Sequence, residues 1–152
     1  MSAGARDLKI LTIGFTKKPA REFFEKLRRP GLKRLIDVRL NNVSQLAGFS
    51  KRDDLAFFCE SILSIEYLHL PELAPSQEML DSYKKDHGDW GDYENKFLAL
   101  MAERKIEEKL DRALMEGSCL LCSERTPDRC HRRLVAEYLN AKWGNIEIEH
   151  IV

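Results

Sequence analysis

The sequence predicts an α/β fold: a three-layer sandwich of about five mostly parallel strands, helices on both faces, and a helical excursion between strands three and four. Three observations predict it. Short apolar runs of strand length alternate with stretches whose apolar residues recur at helical spacing. The segments between strand-like runs are long enough for parallel crossovers. The chain has 152 residues, 43% of them apolar, which suits one domain spanning 1–152 with a core of its own.

Taken in order, Lys-Ile-Leu-Thr-Ile-Gly at Lys9 to Gly14 reads as a first buried strand. A helix follows from Pro19 to Arg29, with Phe23, Phe24 and Leu27 facing inward and Pro30-Gly31 ending it. Arg34 to Arg39 reads as a second strand, in which Leu35, Asp37 and Arg39 alternate with Ile36 and Val38. After a polar loop from Asn41 to Gly48, Ser50 is placed to cap a helix, with Asp53 at the reciprocal position. Leu55, Phe58, Cys59, Ile62 and Leu63 supply that helix with a core stripe, in which Cys59 reads as an inert thiol. Ile65 to Leu70 is a third strand, closed by Pro71.

The stretch from Glu72 to Glu116 is helical in composition. One helix starts at Ser76. A second, capped by Asp92, turns Tyr93, Phe97, Leu100 and Met101 inward. Trp90 and Tyr93 are expected to pack this excursion onto the core. Cys119 to Cys122 is a fourth strand, after the turn signal Glu116-Gly117-Ser118. A helix is then expected with Thr126 as cap, Pro127 in its first turn and Asp128 at its positive end. It carries two adjacent stripes, Cys130-Leu134-Tyr138 and His131-Val135-Leu139. The last strand, Ile146 to Val152, alternates apolar and polar residues, as an edge with one wet face does.

Composition narrows the function classes. Lysine plus arginine equals aspartate plus glutamate at 25 each, which argues against a generic polyanion binder while leaving room for a local basic patch. Arg21, Lys26, Arg28, Arg29, Lys33 and Arg34 could supply one. No apolar run is long enough to span a membrane, and no secretory signal precedes Ile10, so a cytoplasmic location is expected. The 4 cysteines of such a chain read as thiols or ligands rather than disulfides.

Candidate site residues gather at the carboxyl ends of the strands, where open α/β sheets bind ligands. The turn from Gly14 to Thr16 helps to form the pocket. Arg39 could grip an anion with Asp37 orienting it, or the two could close an intrachain ion pair. His69 ends the third strand. Cys122 and Glu124 share a face if the fourth strand runs that far, and Cys130, His131 and Arg132 follow on the helix. Asp37, Glu124, Cys130 and His131 are the catalytic candidates. Gly14, Thr16, Arg39, His69, Cys122 and Arg132 are the candidates for holding substrate.

Arg39 and Arg132 suit a phosphate. Glu124 or His131 would act as acid or base, and Cys130 or Cys122 as nucleophile or pocket wall. No cofactor or metal is predicted. Cys119 and Cys122, three apart on a strand, point to opposite faces and cannot chelate one ion together, so zinc is disfavoured.

Four motifs carry a resemblance: Thr12-Ile-Gly-Phe-Thr16, Asp37-Val-Arg39, Tyr67-x-His69-x-Pro71, and Leu121-Cys-x-Glu124 running to Cys130-His-Arg132. In this order they resemble the family catalogued as domain of unknown function 488, in which many members have His where this chain has Phe15. Some relatives share the loop seen here from Asn41 to Phe49. The resemblance implies an α/β domain with a site on the sheet's rim and supplies no substrate.

The leading expectation is therefore an enzyme acting on an anionic substrate, a small molecule or a nucleic acid bearing phosphate. The alternatives are a non-catalytic module that binds nucleic acid or protein, and a zinc-stabilised regulatory domain.

Overall fold

The computed structural model describes residues 8–41, 48–84, 88–123 and 130–152. Five strands, β1 (Leu8–Gly14), β2 (Arg34–Asp37), β3 (Glu66–His69), β4 (Ser118–Cys122) and β5 (Ile146–Ile151), form one sheet in the order β3-β2-β4-β1-β5. Every neighbouring pair runs parallel. All the strands therefore end on the same side of the sheet. The central strand, β4, is buried along its whole length, as its unbroken apolar run requires. The last strand, β5, is the expected edge, with its middle four residues half-exposed.

The pleat sorts the side chains into two cores. Ile10, Ile36, Leu120 and Cys122 face one way, toward the helices α4 (Trp90–Arg104) and α7 (His131–Trp143). Leu11, Ile13, Leu35, Cys119 and Leu121 face the other, toward α1 (Ala20–Lys26) and α2 (Arg52–Phe58). Cys119 and Cys122 thus lie on opposite faces, as their spacing demands. On α1, Phe23 and Phe24 are buried, with Leu27 at its C-cap. On α7, both predicted stripes, Cys130-Leu134-Tyr138 and His131-Val135-Leu139, are buried.

The helical excursion between β3 and β4 comprises α3 (Gln77–Lys84), α4, and two single-turn helices, α5 (Ile106–Lys109) and α6 (Arg112–Met115). Tyr93, Phe97 and Met101 are its buried stripe. Trp90 stacks on Tyr93 with centroids 5.1 Å apart, and Tyr93 stacks on Phe97 at 6.4 Å, so these rings pack the excursion as expected.

Three local expectations shift. Helix α2 has Lys51, not Ser50, at its N-cap, and Ser50 instead offers its carbonyl to the Arg39 Nη2–H at 2.7 Å. Past Phe58 the helix widens into a π turn over Cys59–Leu63, and the extra residue rotates the stripe so that Ile62 is exposed. Helix α4 is capped by Asp89, whose carboxylate accepts from the Asp92 N–H, three residues before the expected cap. Among the described residues no helix is long and apolar enough to cross a membrane.

Candidate functional site

The register of the sheet decides which strand ends meet. Gly14 pairs with Cys122, Asp37 with Leu121, and Asp37 with His69. Gly14 stays in extended strand rather than turning, while Thr16 ties the loop after β1 to the end of β4: its amide and its hydroxyl both donate to the Ser123 carbonyl, at 3.1 and 2.6 Å. The ends of β3, β2, β4 and β1 are thereby held side by side.

Asp37, the last residue of β2, and Arg39, two residues on, form a buried bidentate pair: Nε–H donates to Oδ1 at 2.8 Å and Nη2–H to Oδ2 at 2.7 Å. The Tyr67 hydroxyl donates to the same Oδ2 at 2.5 Å. Burial would push the Asp37 carboxyl up, but Arg39's hydrogen bonds and charge, with the Tyr67 hydroxyl, hold it below the usual carboxylate range. The intrachain ion pair left open by the sequence is thus present. Arg39 keeps one group outside it: among the described residues, the buried Nη1 has no hydrogen-bond partner. The Phe15 ring lies 5.2 Å from this guanidinium. His69 joins the same group of residues through a 2.8 Å hydrogen bond between Nε2 and the Arg39 carbonyl.

On the other face of the sheet, Cys122 at the end of β4 meets Cys130 and His131 at the start of α7. The Cys122 Sγ is 3.4 Å from Nδ1 of His131 and 3.7 Å from Nε2. Nε2 lies 2.6 Å from the Val38 carbonyl. A carbonyl can only accept, so Nε2 carries the proton and Nδ1 is the unprotonated nitrogen. The sulfur, nearly equidistant from the two, lies over the ring rather than on the Nδ1 lone-pair axis. Burial pushes the His131 imidazole down, which keeps it neutral. The Cys130 thiol hydrogen-bonds the Cys122 sulfur and holds the Cys122 pKa below that of an ordinary thiol, against the opposing effect of burial. Burial, and then this same contact, push Cys130 well up. Arg132, with 0% of its surface exposed, donates from Nη1 to the Cys130 Sγ at 3.4 Å. Phe97 closes the cluster, its ring 5.6 Å from the imidazole.

Cys130 is the N-cap of α7, in extended conformation, and no side chain caps the helix. Glu124 and the expected cap Thr126 lie outside the described residues.

The expectation that zinc is disfavoured does not survive. Cys122, Cys130 and His131 bring two sulfurs and a ring nitrogen within 4.8 Å of one another. The pleat does separate Cys119 from Cys122, and the remaining ligands come instead from the start of α7. Cys119 and Cys59 sit deep in the opposite core as free thiols, where burial pushes both up, Cys59 to about 12.

The basic face is partly spent. Arg29 is paired with Glu149, and Arg34 with Glu66 at 3.1 Å and with the Glu116 carbonyl at 3.1 Å. Tyr67, which stands in the motif ending at Pro71, and Val38 are not among the candidate site residues expected from the sequence. An aromatic hydroxyl two residues before His69 on the same strand face was a usable signal for the first; a backbone carbonyl carries none.

Comparison with curated proteins and with solved structures finds no match. A family model, described as Domain of unknown function DUF488, matches residues 19–139. That span leaves out β1 with its Thr12 to Thr16 motif and takes in Asp37-Val-Arg39, Tyr67-x-His69-x-Pro71, and the run from Leu121 to Arg132. With the match covering most of the chain, and with strand ends and helix start meeting where those motifs lie, this protein belongs to the DUF488 family.

Proposed function

We propose that this protein is an enzyme acting on an anionic, phosphate-bearing substrate, a nucleotide or a nucleic acid, at the carboxyl edge of the sheet. The observation that carries the reading is the buried Nη1 of Arg39, which among the described residues has no acceptor. A buried donor left without an acceptor costs about 1–3 kcal/mol, and a substrate oxygen would recover that cost. The bidentate hold of Asp37 fixes the guanidinium plane, so Nη1 would meet its anion preorganised.

Arg132 is the second cation of the site. His131, neutral, can take a proton at Nδ1 but not at Nε2, which is committed to Val38. Glu124 is the carboxylate assigned to acid–base work, and Cys122 or Cys130 the nucleophile or pocket wall. The four cysteines are all free, a state that the reducing cytoplasm preserves, and that compartment is part of the proposal.

The test is turnover on a panel of nucleoside phosphates and single-stranded oligonucleotides, followed by chromatography of the products. Wild type should convert at least one member. Glu124→Gln should lower the rate by about a hundredfold or more with an unchanged thermal midpoint. Full activity in that variant removes Glu124 from the mechanism. Salt-sensitive binding across the panel without any product overturns the enzyme in favour of a non-catalytic module.

A further inference from the structure

We propose that Cys122, Cys130 and His131 hold one divalent transition-metal ion of the zinc class, as the three ligands found among the described residues, with one coordination position left beyond them.

Spacing is the first argument. Around a tetrahedral zinc, bond lengths of about 2.3 Å to sulfur and 2.0–2.1 Å to nitrogen set a sulfur and a nitrogen ligand about 3.6 Å apart. The Cys122 Sγ lies 3.4 Å from the His131 Nδ1, close to that separation, while its 3.7 Å to Nε2 places it over the ring, so the distance but not yet the direction is that of a ligand pair. Cys130 completes a set whose donor atoms all fall within 4.8 Å.

Orientation is the second. A metal-bound histidine normally donates its other N–H to a carboxylate or a carbonyl, which fixes the tautomer and aims the lone pair. The His131 Nε2 makes that bond to the Val38 carbonyl at 2.6 Å, which leaves Nδ1 as the ligand nitrogen. The Cys122 sulfur lies over the ring, so a turn of the imidazole would accompany binding. Arg132 supplies the matching outer contact to the other side of the site, with its N–H on the Cys130 Sγ at 3.4 Å.

Ligand chemistry and charge are the third. Two thiolates and an imidazole are soft to intermediate donors, which select zinc-like ions over magnesium or calcium. All three residues are buried, and two thiolates cancel the charge of a divalent ion, so ion and ligands add no net charge beside the buried Arg132. Three protein ligands with an open fourth position is the arrangement of catalytic rather than structural zinc.

The site is shared with the proposed function. In the metal-filled form the two sulfurs and Nδ1 are ligands, so acid–base work rests on Glu124 alone, and the nucleophile and proton-acceptor roles of these three belong to the metal-free form. The inference itself does not need turnover, because the metal is measured without substrate. The untagged protein, purified without chelator, is analysed for metal content. The metal-free protein is then titrated with cobalt(II). One ion per chain is expected, with thiolate-to-cobalt charge-transfer absorption, and X-ray absorption of the zinc-loaded wild type should count two sulfur ligands.

Cys119→Ser, which alters a cysteine on the opposite face, should bind as wild type does. Cys130→Ser and His131→Asn should each weaken binding by about a hundredfold or more. A wild type that takes up neither zinc nor cobalt overturns the inference, and so does a bound ion with fewer than two sulfurs or one that Cys119→Ser abolishes. The wild-type spectra decide even if a variant fails to fold. Absence of metal leaves the anion reading standing, and absence of turnover leaves the metal standing.

Discussion

The Nε2–H of His131 donates to the Val38 carbonyl at 2.6 Å, across 93 positions of sequence. This bond joins the first turn of α7 to the residue just past β2. It does so inside the core, where both partners are shielded from water.

Removing the imidazole should therefore cost stability whether or not a ligand is bound. His131→Ala strands the Val38 carbonyl and opens a cavity against Phe97. The expected loss is about 2–4 kcal/mol, read from urea denaturation of the metal-free protein. A loss below about 0.5 kcal/mol, the size of a surface substitution, would mean that the bond contributes nothing net.

Asp37 and Arg39 make a sharper prediction, because both are buried and each satisfies the other. Asp37→Asn keeps the shape but leaves the guanidinium charge without its counter-charge, at a cost of about 3–5 kcal/mol. Replacing both residues with apolar ones, as in Asp37→Leu with Arg39→Met, should recover much of that loss. A double replacement as unstable as the single would contradict the ion-pair account.

The same carboxylate sets a pH dependence. Its pKa in the folded chain lies below the unfolded value of 3.8. The folded state therefore holds the ionised form more tightly, and the resulting stability is fully present above that unfolded value. It is lost as the pH falls through the lower, folded pKa. Urea midpoints followed from pH 6 to pH 2, a range of about four units that brackets ordinary carboxylates, should fall at the acid end in wild type and fall less steeply in Asp37→Asn. Identical slopes would exclude Asp37 as a source.

Gly117 tests the turn that launches β4. Its φ is +73°, and a Cβ there would sit 2.7 Å from the Gly31 carbonyl oxygen. Gly31 also has a positive φ, +88°, but a Cβ there would meet nothing within 4 Å. Gly117→Ala should thus carry a conformational cost and a backbone clash, about 2–4 kcal/mol, whereas Gly31→Ala should carry only the former, about 1 kcal/mol. Thermal midpoints of the two variants decide it, and equal shifts would remove the clash from the explanation.

Much of the architecture follows from local pattern. Alternation along β2 and β5, the unbroken apolar run of β4, and the stripes of α1, α4 and α7 each reflect the geometry of a single element. That geometry repeats every 2 or 3.6 residues regardless of what lies across the chain. The same pleat rule placed Cys119 and Cys122 on opposite faces. Where local pattern failed, the cause was also local but unsignalled: no residue type announces a π turn at Cys59, and Asp89 and Asp92 are equally good caps.

The amino-acid sequence by itself determined that strand ends bearing Asp37, Arg39, His69 and Cys122 would share one edge with the start of a helix bearing Cys130 and His131. Tertiary structure alone decided the strand order, the closure of Arg39 on Asp37 and Tyr67, and the approach of Cys122 to Cys130 and His131. Those outcomes depend on which strands pair and how α7 docks on them. Such pairings join residues far apart in the chain, and hydrophobic burial favours them without leaving a mark at the positions that come to touch.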